Sequence, residues 1–350
     1  MDLGGADVCV LGGTGSLGQR LYHRLWDGSH GTPASVTVFS RDEAKQHEMR
    51  LGILRTPTAT DEVIYRDRPN CVHFAIGDVR RYEDVRRAVD RADVIFHAAA
   101  YKQVPSCEYF VQAAVDTNVY GALNLVRALR EGTQRARTVI GISTDKACKP
   151  VNVMGMTKAL QERVLAEANL EAPWTRSLNV RYGNVMASRG SVIPLFRDLI
   201  ARQQPIPVTD LRMTRFLMTL DQAVDLVFAA LRHGAAGETW VATVPSARVV
   251  DIARGVAQDV EWPITVEGVR PGEKIHEILV SEEEVSRARV DNGFVVVESA
   301  LPELRMSARE TSSLPFVGEY SSEQQTLSSS AVSALLQRCG LTVERGAVAA

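Results

Sequence analysis

The apolar run Ala6–Gly12 closes on Gly12-Gly-Thr-Gly15-Ser-Leu-Gly18, and apolar residues then take helical spacing from Leu17 to Trp26. A strand, a glycine-rich turn and a helix in that order confine the start of the chain to a βαβ unit. Glycines there let backbone amides approach a pyrophosphate, and the helix N-terminus adds partial positive charge. The pattern continues. Strands are expected at Val36–Ser40, Val72–Ile76, Asp93–Ala99, Thr138–Ser143 and Leu178–Tyr182, with helices at Val111–Arg130 and Val153–Asn169. Strands that are continuous apolar runs are covered on both faces, and helices between them imply parallel crossovers. The expected fold is α/β, a doubly wound parallel sheet over residues 1–182.

Beyond Tyr182 the alternation loosens, and prolines at 194, 205, 207, 245, 263 and 271 punctuate short elements. A smaller α/β domain is expected over 183–350, with ligand between the two. Thr219-Leu-Asp-Gln222 reads as a capping box opening a helix to about Arg232. The Thr219–Val244 helix–strand unit is placed to return to the first sheet. Ser328–Ser330 cap a last helix ending near Gly340, and Gly346–Ala350 reads as a frayed tail.

Composition removes several classes of function. The 350 residues carry 40 basic and 42 acidic side chains, a net charge of −2 that gives no basis for binding nucleic acid or an anionic membrane. The arginines at 80, 81, 86, 87 and 91 are interleaved with Glu83, Asp84 and Asp90, as on a solvated helix face. Five cysteines without a C-x-x-C pair fit a reducing cytosol and exclude a disulfide scaffold or zinc site. The seven histidines show no metal spacing; no metal is expected. His97, in an apolar strand end, reads as packed. No apolar run approaches the roughly 20 residues that span a bilayer, and the chain runs almost directly into its first strand. A cytoplasmic protein is expected.

The second strand bears on the cofactor. Strands at this place in NAD sites usually end in Asp or Glu, which bonds the ribose 2′-hydroxyl. Here the strand ends Phe39-Ser40-Arg41, with Lys45 a turn later, a set suited to the 2′-phosphate of NADP; NAD is the weaker fit. Asp42 or Glu43 could reach the ribose instead, and Arg41 could be a surface cation. Gly12, Thr14, Gly15, Ser16, Leu17 and Gly18 form the expected pyrophosphate loop. Asp78 and Val79 follow the third strand on the adenine side. Ala98, Ala99 and Ala100 end the fourth beside the nicotinamide ribose, and Tyr182 closes the sixth.

The segment 143–158, Ser-Thr-Asp-Lys-Ala-Cys-Lys-Pro-Val-Asn-Val-Met-Gly-Met-Thr-Lys, carries the chemistry. Asp145 and Lys146 leave the fifth strand at the edge where parallel sheets bind ligands. A protonated Asp145 can act as general acid and a neutral Lys146 as general base. Burial moves both toward neutrality, whereas their mutual attraction holds both charged.

These blocks together resemble the extended short-chain dehydrogenases/reductases. Further blocks are Ile76-Gly-Asp-Val-Arg, His97-Ala-Ala-Ala-Tyr-Lys-Gln-Val-Pro, Arg181-Tyr-Gly-Asn-Val-Met-Ala-Ser-Arg-Gly-Ser-Val, Met213-Thr-Arg-Phe and Arg270-Pro-Gly-Glu-Lys-Ile-His-Glu. Within that superfamily the chain is similar to soluble, C5-inverting UDP-N-acetylglucosamine 4,6-dehydratases of capsule and pseudaminic acid pathways. The resemblance covers residues 7 to 340. It implies a Rossmann domain, a tightly bound and recycled NADP, a UDP-sugar substrate and a homo-oligomer, a hexamer among the options. Superfamily members commonly carry tyrosine where this chain has Met154, four residues before Lys158. Some dehydratases of this type share the Met-x-x-x-Lys form. Leu11 stands where a threonine is common.

The implied reaction oxidises sugar C4, removes the C5 proton, expels water from C6 and returns hydride to C6. The resemblance puts Thr144 on the C4 oxygen and Lys158 on the nicotinamide ribose. Lys146, Asp145 or a water could serve as base for the C4 hydroxyl, with Lys146 through a water favoured. It puts Asn184 and Arg270 on the diphosphate, Glu273 on the nucleotide ribose, and Ser191 and Val192 near the base. Arg215 is a further phosphate candidate and Lys102 a substrate contact. His276 is placed to orient Glu273 or Glu277. The alternatives are a sugar-nucleotide 4-epimerase, a C5-retaining dehydratase and a non-catalytic NADP-binding regulator.

Overall fold

Along β1 (Asp7–Leu11), Val8 and Val10 enter one buried cluster while Cys9 and Leu11 enter another. Side chains of a strand alternate between faces, so a fully apolar run serves a sheet covered on both sides. The same split recurs in β4, where Val94 and Phe96 oppose Ile95, and in β5, where Ile140 and Ile142 oppose Val139. The structure, a computed structural model, describes residues 2–54, 71–186, 191–258, 261–305 and 313–343. The Gly346–Ala350 tail and residues 187–190 of the Arg181–Val192 block lie outside the described residues.

The strands are β1, β2 (Ser35–Ser40), β3 (Val72–Ile76), β4 (Val94–His97), β5 (Thr138–Ile142), β6 (Arg176–Arg181), β7 (Ile206–Val208), β8 (Thr214–Phe216), β9 (Thr239–Val241), β10 (Ser246–Arg248), β11 (Ile264–Val266), β12 (Ile278–Val280), β13 (Ala288–Asp291), β14 (Phe294–Val297) and β15 (Tyr320–Ser321). Nine form one sheet in the order β13-β14-β9-β6-β5-β4-β1-β2-β3. Pairing is parallel from β3 through to β9 and antiparallel at β14 and β13. Helices Ser16–Leu25, Glu43–Leu54 and Leu220–His233 cover one face. Helices Tyr82–Val89, Gly121–Glu131 and Val153–Glu171 cover the other. Strand order reverses between β1 and β4, the topological switch point where such sheets bind ligands at their carboxyl ends.

The helix Leu220–His233 has the capping box: Thr219 Oγ1 accepts from Gln222 N at 3.2 Å, and Gln222 Oε1 from Thr219 N at 2.8 Å. Its following strand, β9, pairs with β6. The hairpin β13–β14 then extends the sheet, although it lies far beyond the residues whose alternation signalled one. A third cluster, around Phe196, Ile200, Ile252, Val256, Val332 and Leu336, packs helices Val192–Ala201, Val249–Ala257 and Ser329–Arg338 together. The last of these is capped by Ser328, whose Oγ accepts from Ala331 N at 3.3 Å. Among the described residues no helix is long and apolar enough to cross a membrane.

One expected element differs. The helix foreseen over Val111–Arg130 contains a π-helical stretch, Val115–Tyr120. Buried Asn118 sits in it, with Oδ1 accepting from Tyr101 N at 2.8 Å and Nδ2 donating to Tyr101 O at 3.0 Å and Thr157 Oγ1 at 2.9 Å. A π stretch re-aims a side chain in mid-helix. Here it ties the loop after β4 to the helix Val153–Glu171.

Candidate active site

The loop after β1 is shaped by contact with the end of β4. Gly12 has φ +84°, and a Cβ there would lie 2.6 Å from Ala99 N. A Cβ on Gly18 would lie 2.6 Å from Gly13 Cα, so helix and loop meet only as glycines. The helix opening at Ser16 has neither a side-chain cap at Gly15 nor an acidic residue in its first turn. Its positive end is uncompensated, which fits a pyrophosphate.

A cleft of about 620 Å³ opens there at the carboxyl ends of the strands. It is lined by Gly12, Thr14, Gly15, Ser16, Leu17, Gly18, Ser40, Arg41, Lys45, Val79, Ala98, Ala99, Ala100 and Lys102, and across from them by Thr144, Asp145, Lys146, Met154, Lys158, Tyr182, Asn184 and Ser191. Five further sequence candidates stand outside this lining. Asp78 is bound by Arg80 at 2.6 Å, with Arg41 3.7 Å away. Val192 starts a helix. Arg215 Nη1 is taken up by the carbonyls of Thr214 (2.7 Å) and Ile275 (3.1 Å). Arg270 is exposed and paired with Glu267. Glu273 has a buried Oε2 with no hydrogen-bond partner. Asn184 Oδ1 and Ser191 Oγ are likewise buried and unpartnered. Lys45 is paired with Asp42.

Asp145 follows β5 in a short 3₁₀ turn, Asp145–Ala147, capped by Thr144. Its backbone N–H donates to Tyr182 O at 3.0 Å, which fixes the turn against the end of β6. Its carboxyl is 1% exposed. Oδ1 accepts from Thr144 Oγ1 at 2.9 Å and from Lys146 Nζ at 3.2 Å, while Oδ2 is buried without a partner. Burial raises the Asp145 pKa against the lowering effect of Lys146.

The sequence leaves the charge of Lys146 open. Burial would lower its ammonium, but Asp145 and Glu277 outweigh that, and the pKa is raised. Glu277 Oε1 lies 3.2 Å from Nζ, the same distance as Asp145 Oδ1. The amine is therefore cationic in the open cleft. In the sequence Glu277 stands only as one of two carboxylates that His276 is placed to orient. His276 instead bonds Thr214 Oγ1 at 2.8 Å and faces Glu323 at 3.8 Å. No local spacing signals that Glu277 faces Lys146; the pairing exists only once β12 packs beside the 145–147 turn.

Lys158 is buried and donates to Ile142 O and, at 2.6 Å, to Gln161 Oε1. Burial pulls its pKa from 10.5 down to about 7. At this position the unfolded chain therefore holds a proton that the folded chain lacks between pH 7 and 10.5, so the contribution of Lys158 to stability rises with pH across that window. Replacing Lys158 with Met removes this proton. Urea unfolding from pH 7 to 9 should show a slope shallower by up to about 1.4 kcal/mol per pH unit in the variant. Met154, one turn before Lys158, is buried against Cys107 and Ala114 and lines the cleft with a thioether. His97 is fully buried, and burial lowers its pKa to about 3, so it is neutral. Among the described residues no cluster of ligating side chains could hold a metal.

A buried ionic network underlies the site. Arg181, at the end of β6, pairs with Glu162 at 2.6 Å and Glu284 at 2.8 Å and donates to Leu279 O at 2.9 Å. Glu162 also accepts from Ser143 Oγ, the residue before Thr144. The helix bearing Lys158 comes close because position 155 is glycine; a Cβ there would overlap the Lys146 carbonyl oxygen. Asn152 caps that helix through Gly155 N (2.8 Å) and donates to Gly272 O (2.7 Å), joining it to the loop of Arg270 and Glu273.

A family model described as "Polysaccharide biosynthesis protein" matches residues 8–298. A UDP-glucose 4-epimerase of Rickettsia conorii is 41% identical over 286 residues, 80% of this chain and 79% of that protein. The X-ray structure of Pen from Bacillus thuringiensis superimposes with a TM-score of 0.85 at 31% identity, over 98% of this chain and 100% of that one. DesIV, a dTDP-glucose 4,6-dehydratase of Streptomyces venezuelae solved with NAD bound, matches with a TM-score of 0.63 at 20% identity, over 77% of this chain and 86% of that one; this likeness speaks to the fold alone. The chain belongs to the polysaccharide biosynthesis protein family, on the Rossmann fold of the extended short-chain dehydrogenases/reductases.

Proposed function

We propose that this protein is a sugar-nucleotide-modifying enzyme that dehydrates a UDP-sugar at C4 to C6, with UDP-N-acetylglucosamine as substrate and inversion at C5. One observation carries the reading. A buried carboxyl and an amine, Asp145 and Lys146, share the mouth of β5, and the adjacent helix offers the Met154 thioether there and Lys158 on the cofactor side. A thioether moves no proton, so proton transfer falls to that pair. Asp145, pushed toward its neutral form, can protonate the C6 hydroxyl as it leaves as water. Lys146 takes the C5 proton once the neighbouring C4 is a ketone, and a proton delivered by water to the other face inverts C5. The C4 hydroxyl proton leaves through a water as hydride departs, a solvent proton later restores Asp145, and Thr144 turns its hydroxyl from Asp145 Oδ1 to the C4 oxygen.

A nicotinamide cofactor in the glycine loop would supply hydride acceptance from C4 and hydride return to C6. Gly12 to Gly18 would hold its pyrophosphate and Lys158 its ribose. Ser40 and Arg41, in place of an acidic residue after β2, favour NADP over NAD. Asn184 and Ser191, with buried unpartnered oxygens in the cleft, suit the UDP moiety. The exposed Tyr120, Leu123, Met156 and Leu160, on adjoining helical stretches, support self-association.

The 41% identical UDP-glucose 4-epimerase favours a second reading, C4 epimerisation. An epimerase needs a base at C4 but no acid at C6, and the buried Asp145 speaks against it. Mass spectrometry after incubation with NADP⁺ and a panel of UDP-sugars tests the choice. The dehydratase reading expects a product lighter than its substrate by one water. A product isobaric with substrate for every sugar in the panel would replace it with epimerisation.

A further inference from the structure

Glu277 is an acidic residue buried to 2% exposure beside the site, yet it has no place in the reaction as drawn so far. It stands just before β12, one strand of a small antiparallel ribbon with β15, and so comes from a part of the chain remote from β5. Its backbone is held there, with N–H donating to Ser322 Oγ at 2.9 Å and C=O accepting from Ser322 N at 2.8 Å. Oε1 faces Lys146 Nζ at 3.2 Å, and Arg215 Nε stands 3.8 Å from the same oxygen. Oε2 is buried with no hydrogen-bond partner. The charged groups around the pair are Asp145, Arg215 and Lys274, the last held by Cys148 O at 2.6 Å.

We propose that Glu277 is the positioning carboxylate of this site: it holds Lys146 Nζ at the mouth of β5 and takes its proton before the amine acts as base. The inference rests on the reading of Lys146 as the C5 base. In the open cleft Lys146 is 20% exposed, and water helps its ammonium stay charged. A bound sugar removes that water, which favours the neutral pair over the charged one. The proton then passes from Nζ to Oε1 with no change in net charge: ammonium and carboxylate become amine and carboxylic acid. The amine takes the C5 proton and becomes ammonium. Once water has reprotonated C5 on its other face, Glu277 releases its own proton to the hydroxide left behind, and ammonium and carboxylate are restored. Arg215 and Lys274 favour the ionised carboxylate and so reset it.

Glu277→Gln tests the role with two readouts. An amide can accept a hydrogen bond from Lys146 but cannot take its proton. Turnover should fall about 100-fold with KM near the wild-type value, and Glu277→Asp should recover part of the loss. Independently of activity, ¹⁵N NMR of the lysine-labelled protein should show the Lys146 ammonium titrating at lower pH in Glu277→Gln than in the wild type. Unchanged turnover, or an unchanged Lys146 titration, would overturn the proposal. If Glu277→Gln does not fold, Glu277→Asp, which keeps the charge but draws it back from Nζ, must show both effects in reduced form. A wild-type product isobaric with substrate would sink the dehydratase reading instead, while the Lys146 titration would still decide whether Glu277 holds that amine.

Discussion

Lys146→Ala should lose about a thousandfold in turnover while keeping its fold and its affinity for the nicotinamide cofactor. The loss follows from chemistry that nothing else in the cleft replaces. Met154 has no proton to move, Lys158, bonded to Ile142 O and Gln161, is reserved for the cofactor ribose, and His97 is buried and neutral. The substitution also leaves the Asp145 and Glu277 carboxyls facing each other without the cation between them. One of the two must then stay protonated. Cofactor binding, measured by fluorescence titration, separates this from collapse of the site. A variant that retains a tenth or more of wild-type turnover would show that the amine is not the base.

Arg181→Met should destabilise the protein by about 3–5 kcal/mol, because a buried charge network that loses one partner keeps the cost of burying the others. Arg181 is nearly inaccessible, and both Glu162 and Glu284 lean on it. Burial pushes the Glu284 carboxyl up, but Arg181 outweighs it and holds the pKa below the usual glutamate value. That stability is present above the unfolded carboxylate pKa and is lost as pH falls through the folded one. The variant should therefore lose most at neutral pH and least in acid, as read by urea midpoints from pH 4 to 8. The same network seats Ser143 and hence the start of the Asp145 turn, so turnover should fall with stability. A midpoint unchanged at pH 7 would show that the network is worth no more than a surface pair.

What could be read from the residues divides along physical lines. The buried parallel strands announced themselves because both their faces are apolar; β5 is wholly buried, as a run like Thr-Val-Ile-Gly-Ile requires. The glycine turn, the Thr219 capping box and the Ser328 cap are local devices, and local spacing reveals them. The β13–β14 hairpin was not legible, since an antiparallel edge pair late in the chain carries no sign of which sheet it joins. Nor was the π stretch, which Asn118 needs for contacts with Tyr101 and Thr157 that only the fold brings near. At the site, Asp145 and Lys146 were visible as neighbours in sequence. Their charges were not, because these depend on Glu277, contributed by a distant segment. Arg215 suits phosphate by type alone; what only the fold shows is that its guanidinium bonds the carbonyls of Thr214 and Ile275 and stands 3.8 Å from Glu277.

The most direct measurement is the reaction run in D₂O with UDP-N-acetylglucosamine and NADP⁺, followed by mass spectrometry and NMR of the sugar. The expected product has lost one water, carries deuterium at C5 with that centre inverted, and does not form with Lys146→Ala. A sugar of unchanged composition, inverted only at C4 and free of deuterium at C5, would contradict the account.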